Sequence, residues 1–137
     1  MPRPSGNPRF AHAHWPGALL ICLVASCSSD PLGAFQPQIS NVADNFSLQA
    51  TGVTNVTATL SYSWQNSGTR ATINHSTTTQ AGSTLLVIKD AAGTTVYNKA
   101  LSPSLNEPTT AGVAGTWSVQ VTLTGYSGTL NFRAQKL

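Results

Sequence analysis

The stretches 56–64 (VTATLSYSW) and 116–124 (TWSVQVTLT) alternate apolar and hydroxyl-bearing residues with a period of two. That period constrains the fold more than any other feature of the chain, because only an extended strand sends successive side chains to opposite faces. In the first stretch Val56, Ala58, Leu60, Tyr62 and Trp64 share one face, with Thr57, Thr59, Ser61 and Ser63 on the other. In the second, Trp117, Val119, Val121 and Leu123 align in the same way. Each reads as a strand with one face in a core and a Thr/Ser face toward water.

The same period recurs along the rest of the chain. Phe46, Leu48 and Ala50 alternate with Ser47, Gln49 and Thr51; Ala71 and Ile73 alternate within 70–76 (RATINHS), after a turn at 65–68 (QNSG). The run 85–88 (LLVI) is apolar at consecutive positions, which predicts a strand buried on both faces or one whose outer face is covered. It enters a four-residue turn at 90–93 (DAAG) and returns through 94–97, the clearest hairpin in the chain. Residues 102–112, with Pro103 and Pro108, form a long connection carrying one short edge strand. A turn at 125–128 (GYSG) leads to a closing strand, 129–135, with Leu130, Phe132 and Ala134 inward.

Charged residues make up 8% of the 137 residues, against a usual value of about 25%, so solvent-facing helices have little to be built from. Seven or eight strands with regular turn signals predict an all-β fold, an antiparallel β-sandwich of jelly-roll type, with an immunoglobulin-like arrangement as the alternative. The formal charge is +3, but Arg3 and Arg9 lie in the leader described next; without them, five basic residues face four acidic ones. A net charge near +1 with no clustered Lys or Arg speaks against nucleic acid as a partner.

Arg3 and Arg9 precede an apolar run at 18–25 (ALLICLVA) that is far shorter than the roughly 18 residues needed to span a bilayer. This is the layout of a secretory signal peptide. It ends in Val24, Ala25, Ser26 and Cys27, which resembles the bacterial lipobox, in which the cysteine thiol takes a diacylglycerol and a dedicated peptidase cuts just before it. The resemblance implies a signal peptide at 1–26, lipid attachment at Cys27 and signal-peptidase recognition through Val24, Ala25 and Ser26. A second acyl chain would make the anchoring stable, since one chain alone holds only marginally. Cys22 leaves with the leader, so no intrachain disulfide is expected. In such lipoproteins an Asp after the cysteine often retains the protein at the inner membrane; Ser28 stands there, which points to the outer membrane. Residues 27–45, with Pro31, Gly33 and Pro37, read as the lipidated terminus and a flexible linker, and 46–137 as the sandwich domain.

Two stretches, 85–97 (LLVIKDAAGTTVY) and 114–135 (AGTWSVQVTLTGYSGTLNFRAQ), are similar to the bacterial pre-peptidase C-terminal domain and the P domain of proprotein convertases. The shared pattern is a strand, an Asp-x-x-Gly turn and a strand, followed by Gly115-Thr116-Trp117 and then Gly128-Thr129-Leu130-Asn131. The resemblance covers the second half of the domain. It implies a jelly-roll-like accessory module and no proteolysis.

Chemistry-bearing residues are sparse. His75 has no Cys or acidic neighbour to build a zinc site or a catalytic triad, and reads as a surface or strand-edge histidine. No Gly-x-Ser-x-Gly elbow is present, so the chain reads as non-enzymatic. Asp44, Asp90 and Glu107 offer oxygens in loops without the spacing that gathers a calcium shell, and no metal or cofactor is expected. Asp90 reads as a residue ordering its own turn. Trp64, Tyr62 and Trp117 share parity with aliphatic residues and read as core, leaving Tyr126 at a turn tip. Tyr126 and Asp90 are thus the candidate ligand contacts. The sequence predicts a non-catalytic, lipid-anchored envelope protein presenting its sandwich to a protein or glycan partner, or else a structural subunit that assembles through edge strands.

Overall fold

The computed structural model describes residues 30–137, and the expected signal peptide at 1–26, with Val24, Ala25 and Ser26, and the expected lipid site Cys27 lie outside them. A short 3-10 turn, Gly33–Phe35, leads into seven strands: β1 (Gln38–Val42), β2 (Asn45–Asn66), β3 (Ala71–His75), β4 (Thr78–Lys89), β5 (Thr95–Lys99), β6 (Leu105–Pro108) and β7 (Gly115–Lys136). All pairings are antiparallel, in the order β1-β2-β7-β3-β6, with β4 joining β7 and β5 joining β4. The all-β antiparallel sandwich is the architecture observed.

Two strands of 22 residues organise it. A straight strand of that length would run about 70 Å. Yet the Asp44 amide, just before β2, donates to the Gln65 carbonyl at its far end, 2.8 Å away. Phe46 and Tyr62, both on β2, bring their ring centroids to 5.3 Å. The strand therefore folds back on itself, and β7, paired with it from Asn45↔Gln135 to Asn66↔Gly115, folds with it. One layer holds β1, the first half of β2, the second half of β7, β3 and β6. The other holds the second half of β2, the first half of β7, β4 and β5.

The bend has a backbone cause. Between Ala50 and Ala58 the β2–β7 register shifts three times, and Gly52, Asn55 and Gly125 adopt positive φ. Extra residues of this kind bend a strand and steepen its twist. At the corner β4 approaches so closely that a Cβ on Gly82 would lie 2.3 Å from the Gly125 carbonyl oxygen, and one on Gly128 2.1 Å from that of Thr78. Only glycine fits there. The expected turn at 125–128 is thus a bend inside a continuous strand, because the Gly125 bulge offers the chain a corner without breaking the pairing. It also flips the inward parity, so that Trp117 to Leu123 at odd positions and Tyr126 to Ala134 at even ones fill one core.

Three further expectations give way. Residues 31–45 are not a linker: Leu32 is buried at 1% exposure, Phe35 packs against the core and β1 pairs fully with β2. A prolyl and glycyl composition is equally compatible with the 3-10 turn found there. The run 85–88 is buried on one face only; Leu86 and Ile88 point in, while Leu85 is 40% exposed and Val87 half-buried, because among the described residues nothing covers the outer face of the second layer. His75 is not at the surface, being 1% exposed at the end of β3, beside β6 and 3.2 Å from the Tyr97 hydroxyl of β5.

Candidate functional site

Tyr126, expected at a turn tip, lies inside β7 at 0% exposure, and its hydroxyl donates to the Thr78 carbonyl 2.7 Å away. Burial pushes its phenol up to about 12. This tyrosine pins β4 to the corner of β7 and offers no ring to solvent. The Gly-Tyr-Ser-Gly composition, which suggests a tip, provides here the small residues of a bend.

Asp90 lies between β4 and β5 and is 5% exposed. Its Oδ1 accepts from the amides of Ala92 (3.0 Å) and Thr94 (2.8 Å), and its Oδ2 from Val113 (2.8 Å). Burial alone would raise its pKa, but the amides of Val113, Thr94 and Ala92 outweigh it and hold the carboxylate below its usual value. The side chain orders its own turn and also ties the hairpin to the segment leading into β7. The other loop acids are engaged separately: Asp44 accepts from the amide and hydroxyl of Ser67 and pairs with Lys136 at 3.1 Å, and Glu107 pairs with Lys99 at 2.6 Å. Among the described residues no three His, Cys, Asp or Glu gather where they could hold a metal ion. No helix there is long and apolar enough to cross a membrane.

Sequence reasoning missed two arrangements. The first is a polar cluster at the seam where β5 faces β6. His75 Nε2 stands 3.2 Å from the Tyr97 hydroxyl, and Nδ1 is buried without a partner of good geometry. Burial lowers the His75 pKa, against the pull of the Leu101 backbone and the Glu107 carboxylate. Tyr97 is held well above the usual phenol range by burial and by Glu107. A shallow cavity of about 340 Å³ opens over this seam between Lys99 and Glu107. The only sequence signal was that His75 shares the parity of Ala71 and Ile73.

The second is a groove of about 490 Å³ on the outer face of the first layer, spanning β1, β2 and β7. Register places its side chains in two rows, Gln38–Gln49–Asn131 and Ser40–Ser47–Arg133. These are the polar, outward positions of three neighbouring strands, and only the pairing of β1 with β2 and of β2 with the end of β7 assembles them. Arg133 has no carboxylate partner among the described residues, since the ion pairs there join Lys99 to Glu107 and Lys136 to Asp44.

No family model matches the chain, and no curated protein matches it.

Proposed function

We propose that the chain is a non-catalytic, lipid-anchored protein of the bacterial cell envelope whose β-sandwich is presented to a glycan or protein partner. The observation that carries this reading is the sequence Val24-Ala25-Ser26-Cys27 at the end of an apolar run too short to span a bilayer. Acyl chains on Cys27 would hold the protein at the membrane. With Ser28 after the cysteine, the outer membrane is the favoured destination. The buried Leu32 supports a close anchor, because five residues of chain reach at most about 17 Å at full extension. The sandwich then stands on the membrane rather than swinging from a long leash. Incorporation of labelled fatty acid into the wild-type chain and none into Cys27→Ala is the expected result; equal labelling of both would refute the anchor.

A second reading is that of a structural subunit assembling through strand edges. It is favoured by β1, whose five residues are all exposed, which pairs only with β2 among the described residues, and which carries no Lys or Pro to block addition of a strand. Gel filtration decides between the two: concentration-dependent oligomers favour assembly, and a monomer at high concentration favours the presenting module.

A further inference from the structure

We propose that the groove over β1, β2 and β7 binds a carboxylated saccharide, with Arg133 taking the carboxylate and the amides of Gln38, Gln49 and Asn131 taking ring hydroxyls. This rests on the presenting-module reading above and names the chemistry of its partner.

The groove is dominated by groups that both donate and accept. An Asn or Gln amide offers two donor hydrogens and a carbonyl acceptor, and a serine hydroxyl does both through one oxygen. Sugar hydroxyls have the same dual character. Neighbouring strands lie about 4.8 Å apart, so the row Gln38–Gln49–Asn131 sets amides at intervals that can follow hydroxyls along adjoining rings. Of the six side chains in the two rows, Asn131 alone is engaged elsewhere among the described residues, giving one hydrogen to the Ser76 hydroxyl at 3.0 Å while its carbonyl accepts none there.

The charge narrows the class further. Among the described residues Arg133 is an unpaired guanidinium in a patch lined by no acid, and its planar fork matches a carboxylate through two parallel hydrogen bonds. An extended peptide added to the free edge of β1 would not account for the site. Asn131 and Arg133 sit two strands in from that edge, about 10 Å away, and a peptide reads its partner through alternating side-chain pockets, for which the groove offers only the half-buried Pro37, since Ile39 is paired with the buried Leu48 on the opposite face.

The test is an NMR titration of the full chain in detergent micelles with trigalacturonic acid and, separately, its neutral methyl ester. The expected result is shifts centred on Gln49, Asn131 and Arg133, with the ester binding about tenfold more weakly than the acid, the loss of one charge-assisted pair. Arg133→Gln, at an exposed position, should weaken the acid by a similar factor and erase the difference between acid and ester. Gln49→Ala should weaken both alike. Equal affinity of the wild type for acid and ester, no shifts at tens of millimolar sugar, or shifts confined to the β1 edge would overturn the proposal. Cys27→Ala should retain the sugar response while losing the lipid label, so the binding site and the anchor can each fail without the other.

Discussion

Trp64 and Trp117 are directly paired across β2 and β7, their ring centroids 5.8 Å apart and their planes at 85°. Each indole also donates to a backbone carbonyl, Trp64 to that of Val42 at the end of β1 and Trp117 to that of Val113 just before β7. The edge-to-face pair therefore anchors the end of the sandwich opposite the glycine corner and fastens to it the end of β1 and the segment leading into β7. Trp64→Ala and Trp117→Ala should each cost about 3–5 kcal/mol in urea unfolding. The double variant should fall short of additivity by about 1 kcal/mol, the worth of the aromatic contact itself. Strict additivity would mean that the rings merely fill space.

The corner should tolerate no side chain. Gly128→Ala places a Cβ against the Thr78 carbonyl and is expected to lose roughly 3 kcal/mol or more, from overpacking and backbone strain together. Gly52→Ala, at φ +64 with nothing within 4 Å, should cost only about 1 kcal/mol. Thermal melts of the two variants check this contrast, and equal losses would contradict the folded-over strand.

Tyr126→Phe removes one hydrogen bond to the Thr78 carbonyl and should cost about 1 kcal/mol of stability. The same variant should leave sugar binding unchanged, because the ring lies in the core. Chemical denaturation together with the titration above reads both outcomes.

Acid should destabilise the fold in two stages. Burial keeps the folded-state pKa of His75 below the 6.5 of the unfolded chain, so below about pH 6.5 the unfolded state binds the proton first and stability falls as pH drops. Tyr97 and Lys99 on β5 and Glu107 on β6 face the ring across the seam. The second stage comes from Asp44, Asp90 and Glu107, whose lowered pKa values give stability that is present above their ordinary values of 3.8 to 4.5 and is lost as pH falls through the folded-state values. His75→Gln should flatten the slope between pH 6.5 and 5 and leave the lower stage intact. Midpoints of urea unfolding across about pH 2 to 8 report both slopes; an unchanged upper slope in the variant would assign it to another group.

Much of the fold was legible because alternation is a local signal. The inward residues of 56–64, 117–123 and 130–134 were each readable from their own period, and Asp90's role from its place before Gly93. What was not legible depends on distant pairing. Gly125 and Gly128 look the same in sequence whether they turn a hairpin or bend one strand, and only the continued partners on β2 and the approach of Gly82 decide it. Leu32 is an isolated apolar residue in a proline-rich segment, so its place in the core could not be read locally. The groove rows unite positions 38–40, 47–49 and 131–133, which no sequence window contains.

Mass spectrometry of the amino-terminal peptide from membrane-fraction protein tests the central claim most directly. The account predicts a mature chain that begins at Cys27 and carries the mass of a diacylglyceryl group, with or without an additional acyl chain. A peptide beginning at Met1, or an unmodified Cys27 within an uncleaved chain, would contradict it.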